Sequence, residues 1–288
     1  MSVRKAVFPV AGWGTRLLPA TKSIPKELLP IWDRPILHHV VEECARSGIT
    51  EVCFVTSSGK EAVLDYFDRN HELEAVLEQR GKDEALLKVQ APASMAVFFS
   101  IRQGEIKGLG HAVSKARTWV GDEPFAVILP DDLVLSQEPC LLQLTKVFET
   151  VGRPVVALEE VPWEDTRNYG IVAGEPGPGG SVAIREMVEK PQPEIAPSNQ
   201  AIIGRYILTP EVFDLLAGTK EGTGGEVQLT DALRMLIPKG IYGFKFEGKR
   251  CDAGSPMGFL EANLSYALHA PALKPKVLAM LKKFLEPG

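Results

Sequence analysis

The chain has 288 residues, 45% of them apolar and 24% charged, with a formal net charge of −5. That length supports one large domain, or one core with a smaller appendage, and the negative balance argues against a nucleic-acid backbone as the main partner. No apolar run approaches the roughly 18 to 20 residues that span a bilayer, so a cytoplasmic protein with no membrane partner is expected.

In chain order, Lys5 to Val10 reads as a first strand, followed by a loop with glycines. Pro35 then opens a helix in which Ile36, Leu37, Val40, Val41 and Cys44 recur at helical spacing, and Gly48 ends it. Glu51 to Thr56 predicts a second strand, Lys60 to Arg69 a helix, Ala96 to Arg102 a strand and His111 to Thr118 a helix. Phe125 to Leu129 is apolar at every position, as in a central strand covered on both faces. This alternation belongs to helices packed on a mostly parallel sheet. Ligands bind outside the carboxyl ends of such strands, so the loop beginning Pro130-Asp131-Asp132 is expected to be functional.

After Val161, Pro and Gly concentrate in Gly174 to Gly180 and Pro191 to Pro197, between short runs that read as antiparallel strands. This region is either an insertion forming a second lobe or a set of later strands completing the same sheet. Pro256 to Leu285 is helical by spacing, with an apolar face suited to a subunit contact. Cys44, Cys53, Cys140 and Cys251 form no Cys-x-x-Cys pair, so neither zinc nor disulfides are expected. The five histidines show no metal-ligand spacing, and His111, at a helix start, reads as structural.

The loop after the first strand is Ala11-Gly12-Trp13-Gly14-Thr15-Arg16-Leu17-Leu18-Pro19. Two glycines let a backbone bend tightly and turn its N–H groups toward a ligand. The dinucleotide fingerprint needs a third glycine where Leu17 stands, and the Gly-Lys-Ser/Thr ending of a Walker A loop is missing. Taken alone, the segment reads equally well as an ordinary glycine turn. Between Gly12 and Lys26, however, stand Arg16, Lys22 and Lys26 and no acid, which suits a small polyanion as well as a solvated basic face.

The continuation Lys22-Ser23-Ile24-Pro25-Lys26-Glu27-Leu28-Leu29-Pro30 completes a pairing of Gly-x-Gly-Thr-Arg with Pro-Lys-Glu-Leu-Leu-Pro. That pairing resembles the signature of the sugar-nucleotide pyrophosphorylases, a family of sugar-phosphate nucleotidyltransferases, and the wider text resembles their bacterial branch specific for UTP and glucose-1-phosphate. The resemblance runs on through Arg102-Gln103-Gly104, Lys107 to Ala112, Ile128 to Asp131, Asn168-Tyr169-Gly170, Val188 to Pro191, Ala196 to Asn199, Gly204-Arg205-Tyr206 and Glu226 to Asp231. It implies a three-layer, Rossmann-like α/β fold with a mainly parallel mixed sheet and a smaller sugar-binding insertion. A single nucleotidyltransferase domain over 1–288 would comprise a nucleotide-binding half at 1–135, a sugar-phosphate part at 160–255 and C-terminal helices at 256–288. The implied reaction joins UTP to glucose-1-phosphate, giving UDP-glucose and pyrophosphate by Mg2+-assisted in-line attack on the α-phosphorus, in a homodimer or homotetramer.

The same resemblance assigns roles. The loop residues Ala11, Gly12, Gly14 and Thr15 would hold the nucleotide, Glu27 the ribose region, and Gln103 with Gly108 the uracil edge; Arg16 and Lys26 would face the triphosphate. An amide such as Gln103 both donates and accepts, which is what uracil requires. Glu189 would take glucose hydroxyls and Lys190 the sugar phosphate, helped by Gly170 and Gly204. Adjacent residues alternate across a strand, so Glu189 and Lys190 can act together only if the strand ends there, as Pro191 suggests. Asp131 and Asp252 would hold the metal, with Asp132 as a neighbour. Trp13 and Ala253 depart from relatives, which generally carry a smaller aliphatic residue and a cysteine there. Three rival readings are the same chemistry on another base or sugar, such as dTTP, a non-catalytic nucleotide-sugar-binding regulator, and a dinucleotide-dependent dehydrogenase, which the glycine spacing opposes.

Overall fold

The structure, a computed structural model, describes residues 2–222 and 225–285. Its first half holds β1 (Lys5–Pro9), a short hairpin of β2 (Pro30–Ile31) and β3 (Arg34–Pro35), α1 (Ile36–Arg46), β4 (Glu51–Thr56), α2 (Glu61–Asp65), α3 (His71–Gln79), α4 (Asp83–Gln90), β5 (Val97–Arg102), α5 (Leu109–Lys115), α6 (Arg117–Val120), β6 (Phe125–Ile128) and β7 (Asp132–Leu135). There follow α7 (Cys140–Val151), β8 (Val155–Glu160), β9 (Gly170–Pro176), β10 (Val182–Glu189), β11 (Gln200–Leu208), α8 (Glu211–Gly218), α9 (Leu229–Arg234), β12 (Tyr242–Lys245), β13 (Lys249–Asp252), α10 (Pro256–His269) and α11 (Lys274–Leu285).

Nine strands form one sheet in the order β5-β4-β1-β6-β11-β8-β12-β10-β9, while β7 and β13 make a separate two-stranded ribbon. β5, β4, β1 and β6 are parallel neighbours, and β12 runs parallel to β8. β11 is antiparallel to β6 and β8, and β10 is antiparallel to β12 and β9. Seven of the nine strands therefore point one way and two, β11 and β10, point against them. Of the later strands, β8 to β12 join this same sheet, and β13 pairs with β7 in the ribbon.

Strand alternation explains the three layers. Ala6, Phe8, Val52, Phe54, Ala126 and Ile128 face a core shared with Val40, Val41 and Cys44 of α1 and Leu141, Leu144 and Phe148 of α7. Val7, Val55, Phe125 and Val127 face the opposite core, with Ala112 and Val113 of α5, Phe213 of α8 and Leu233 of α9. All of β6 is buried, because helices cover both of its faces.

Local differences from the expected elements have local causes. The helix expected over Lys60 to Arg69 shortens to α2, and Asn70 starts a new one by accepting from the Leu73 N–H at 3.0 Å. Sequence analysis assigned nothing to α3 and α4, whose apolar residues Leu73, Val76 and Leu87 are exposed. The helical tail breaks between His269 and Lys274, where Pro271 forces Ala270 into an extended conformation (ψ 112°). The four cysteines are buried free thiols, and among the described residues no helix is long and apolar enough to cross a membrane.

One buried pair joins the layers. Arg205, fully buried on β11, donates from Nε and Nη2 to Glu43 of α1 at 3.0 and 2.8 Å. Glu43 Oε1 also accepts from the Leu141 N–H at the start of α7, and Arg205 Nη1 donates to the Gly204 carbonyl at 3.1 Å. Removing one partner strands the other charge in the interior. Glu43→Ala is expected to lower stability by about 3 to 5 kcal/mol in urea unfolding, and Glu43→Gln, which keeps an acceptor, by clearly less.

Candidate active site

The crossover defines the site. From β1 the chain runs outward through β4 and β5, then returns to β6 on the other side of β1. A crevice forms at the carboxyl ends of strands where the order reverses in this way. The residue 10–16 loop and Pro130-Asp131 both leave the sheet at this edge.

The loop is held by its neighbours. Val10 N–H donates to Val55 O at 2.9 Å, and Ser57 Oγ donates to Ala11 O at 3.0 Å. Gly14 lies at φ +67°, and a Cβ there would come within 3.1 Å of Lys26 Cβ and 3.2 Å of Thr21 Cγ2. A glycine therefore lets the loop lie directly on the Thr21 to Lys26 segment. Thr15 to Leu17 makes a single 3-10 turn, not the long helix that a dinucleotide fingerprint opens. Gly12 and Thr15 are exposed on the loop, Ala11 is buried, and Lys22 is exposed.

Lys26 Nζ lies 2.6 Å from Asp131 Oδ2, and Arg16 Nη2 lies 3.6 Å from the same oxygen. Burial alone would raise the Asp131 carboxyl, but Lys26 and Arg16 outweigh it and hold it below its ordinary value of 3.8. Burial would likewise lower the Lys26 ammonium, and Asp131 with Glu27 holds it up instead. The β7–β13 ribbon brings Asp252 opposite Asp132, and Ala253 N–H donates to Asp131 O at 2.8 Å. A Cβ on Gly254 would sit 2.7 Å from Arg16 Nη2, 2.8 Å from Asp131 Oδ2 and 3.0 Å from Asp252 Oδ1. Three charged groups thus converge on a spot that a glycine leaves open.

Asp131 and Asp132, adjacent in sequence, have different tasks. Asp132 Oδ2 accepts from the Gly204 N–H at 2.9 Å and Oδ1 from Arg250 Nε at 2.5 Å, so both oxygens are engaged within the protein. Burial raises its carboxyl, Arg250 opposes this, and Asp131 and Asp252 add to it. Asp131 and Asp252 supply two carboxylates at one place, which fits a hard divalent cation that draws its other ligands from phosphate and water. Among the described residues no three His, Cys, Asp or Glu converge as a closed metal cage.

A cavity of about 850 Å³ opens from this point, with Arg16, Asp131, Gly170, Glu189, Lys190 and Asp252 on its wall. β10 ends at Glu189, and Lys190 turns to φ +47° with its N–H donating to Tyr169 O at 2.9 Å. That left-handed residue is uncommon outside glycine and puts both side chains on one cavity, with Lys190 Nζ 3.4 Å from Glu189 Oε1.

Other candidates stand elsewhere. Glu27 is 1% exposed and faces inward, with Oε2 accepting from Lys60 Nζ at 2.8 Å and Oε1 without a partner. Burial raises the Glu27 carboxyl, against Lys60 and Lys26, and with Lys26 and Asp131 it borders a narrow crevice instead of the large cavity. Gly204 has both backbone groups engaged, its N–H with Asp132 and its carbonyl with the Leu129 N–H at 2.9 Å, so it supports the wall from behind. Gln103 and Gly108 lie beyond β5 at the same sheet edge, where Gln103 N–H donates to Thr56 O at 2.8 Å. Trp13 is 73% exposed, and nothing in the structure explains an indole there; Ala253 is fully buried.

Sequence analysis assigned no role to Arg250. Its guanidinium bonds Asp132, lies 3.2 Å from both Glu159 Oε2 and the Tyr169 hydroxyl, and stands 5.1 Å from the Tyr169 ring centre. The signal was available, since residues two apart on a strand share a face. Glu226 to Gln228 lie in a stretch that carries the resemblance, but no role was assigned to them. Val227 N–H donates to Lys107 O and Val227 O accepts from Gly110 N–H, both at 2.8 Å, so a segment more than a hundred residues away seats the Gly108 loop.

A family model described as nucleotidyl transferase matches residues 5–268. The UTP–glucose-1-phosphate uridylyltransferase of Staphylococcus haemolyticus is 47% identical over 282 residues, 98% of each chain. The UTP-bound UGPase from Acinetobacter baumannii superposes with a TM-score of 0.88 at 38% identity, covering 100% of both chains. A UDP-glucose pyrophosphorylase complexed with UDP-glucose gives 0.85 at 42% identity, over 92% of this chain and 98% of that one. With matches that span nearly its whole length, this chain belongs to the nucleotidyl transferase family.

Proposed function

We propose that the chain transfers the uridylyl group of UTP to glucose-1-phosphate, releasing pyrophosphate and forming UDP-glucose. The observation that carries this reading is the meeting of Arg16, Lys26, Asp131 and Asp252 at the crossover, on a cavity that Glu189 and Lys190 also line. The names of the whole-length relatives support the choice of base and sugar over dTTP chemistry or a non-catalytic regulator.

Both substrates are anions that repel each other, so most of the work is gathering and neutralising them. In this reading Arg16 and Lys26 face the triphosphate, and backbone groups of Ala11, Gly12, Gly14 and Thr15 border the nucleotide. Gln103 and Gly108 meet the base edge. Lys190 holds the sugar phosphate, with Glu189 and the Gly170 backbone at the sugar. An oxygen of glucose-1-phosphate attacks the α-phosphorus, the bond to the bridging oxygen breaks, and the electron pair leaves with pyrophosphate. Asp131 and Asp252 would hold a divalent cation, Mg2+ in this reading, which when bound offsets charge on the phosphate oxygens. Lys26 Nζ, 2.6 Å from Asp131, stands beside the phosphates in this reading.

The halves 1–135 and 160–255 divide the work between nucleotide and sugar phosphate. Residues 256–288 carry a contact between two or four copies, supported by the exposed Met257, Leu260, Met280 and Phe284 of α10 and α11. Light scattering on the purified chain reads that assembly. A cytoplasmic enzyme fits substrates whose charge keeps them from crossing a bilayer.

Purified protein supplied with glucose-1-phosphate, Mg2+ and one nucleotide at a time is expected to release pyrophosphate with UTP far ahead of dTTP, ATP, CTP and GTP, and to stop when the metal is chelated. Preference for another nucleotide would keep the chemistry and overturn the base. Asp131→Asn is expected to lower turnover by about a thousandfold or more with thermal unfolding near that of the parent. Lys190→Met is expected to raise the KM for glucose-1-phosphate by about tenfold or more while the KM for UTP stays within about twofold, as initial-rate kinetics will show.

A further inference from the structure

Gln103 is buried at the end of β5, and its Nε2 lies 3.2 Å from Gly108 O and 3.2 Å from His111 Nδ1. A backbone carbonyl can only accept, so the amide must turn its NH2 toward Gly108; the reversed amide would set two oxygens against each other. Gly108 is itself immobilised, at φ +91° with a would-be Cβ 2.7 Å from Glu226 Cβ. With one amide hydrogen on Gly108, the other meets His111 Nδ1, which must then be the unprotonated nitrogen of a neutral ring. Both donors of Gln103 are satisfied inside the protein. Its Oε1 receives no hydrogen bond from any described residue and is not sealed in the interior.

We propose that His111 is a positioning residue for base selection: by accepting from Gln103 Nε2 it locks the amide with Oε1 outward, as a pure acceptor for a pyrimidine N3–H. The proposal rests on the reading above, in which Gln103 meets the base edge. Uracil carries that N3–H. Cytosine has a lone pair at N3, which would face the Oε1 lone pairs and be refused. Thymine carries the same N3–H as uracil, so this device separates UTP from CTP and leaves dTTP to other contacts.

The ring's surroundings keep it in the accepting state. Burial lowers the His111 pKa from its ordinary 6.5, Lys115 of α5 and Lys107 of the preceding loop lower it further, and Glu105 opposes them. Glu105 and Glu221 also pair with Lys107, at 2.7 and 3.8 Å. A lowered pKa leaves the imidazole neutral at pH 7. As pH falls through that value the ring gains an Nδ1 proton, the amide loses its acceptor, and recognition of uracil weakens.

The test compares the whole parent chain with His111→Phe and His111→Asn, using UTP and CTP separately, with kcat and KM measured between about pH 5 and pH 8 and UTP binding followed by calorimetry. His111→Phe is expected to reduce the UTP-over-CTP ratio of kcat/KM by about tenfold or more, chiefly through KM. It should also remove the acid-side rise in the UTP KM. Asn places an oxygen that never takes a proton where Nδ1 stood, so His111→Asn should restore the ratio without the acid-side rise. A ratio unchanged in His111→Phe, or UTP and CTP losing activity by the same factor, would overturn the assignment. Should the Phe variant fail to fold, a His111→Leu variant that keeps the parent's UTP-over-CTP ratio overturns it equally. A parent enzyme that uses CTP as well as UTP defeats the uridylyl reading and this proposal together, whereas a UTP preference that survives His111→Phe defeats the proposal alone.

Discussion

Four carboxylates crowd the place where β6 ends and the β7–β13 ribbon begins, and their mutual repulsion has to be offset for this edge of the sheet to hold its shape. Asp131, Asp132, Asp252 and Glu159 meet three cations there. Arg250 answers Asp132 and Glu159 and lies 3.9 Å from Asp252, while Lys26 and Arg16 answer Asp131. Two of these cations are unlike in exposure. Arg250 is 9% exposed and fixed among its acceptors and the Tyr169 ring, whereas the Arg16 side chain is 63% exposed. A fixed cation suits the structural carboxylates, and an exposed one suits a charge that must reach an incoming anion. The division between Asp132 and Asp131 follows from this arrangement, not from any difference between the two residues.

The same edge is anchored from below. Arg205 and Glu43 tie β11 to α1 and α7, and Arg205 Nη1 reaches the Gly204 carbonyl, whose own N–H holds Asp132. Binding loops are mobile unless rigid elements position them. Here the carboxylate edge rests on a buried bidentate ion pair, and the glycine loop rests on the Thr21 to Lys26 segment through Gly14. Glu27, one residue beyond Lys26, points inward to Lys60, so the segment that offers Lys26 to the site is fastened by its neighbour to the loop before α2. That explains how one short turn can carry a cation toward the cavity and an anion into the interior.

Much of the architecture was legible from pattern alone. β4 appeared with its observed bounds, β1, α1, β5 and β6 within a residue or two, and the uniformly apolar Phe125 to Leu129 was read correctly as a strand covered on both faces. Helices α3 and α4 escaped, because several of their apolar residues are exposed and no buried apolar stripe marks them. The strand end before Pro191 was expected, and Lys190 at φ +47° is how the chain makes that turn. His111 reads as structural in the sequence, and its place beside the Gln103 amide is visible only in the fold.

The sequence by itself determined which residue types were available and on which element each would sit, because alternation, helical spacing, glycine and proline act over a few residues. It also displayed motifs that tie the chain to a family. Tertiary structure decided which of those residues meet. Asp131 is separated from Lys26 by 105 residues and Arg250 from Asp132 by 118, and such pairs depend on the crossover from β5 to β6 and on the register of β7 against β13. The direction of a side chain at a loop, inward for Glu27 and toward the site for Lys26, likewise follows from what the rest of the fold packs against it. Local pattern carries no information about contacts made across such distances, since their free energy arises only when the sheet has assembled.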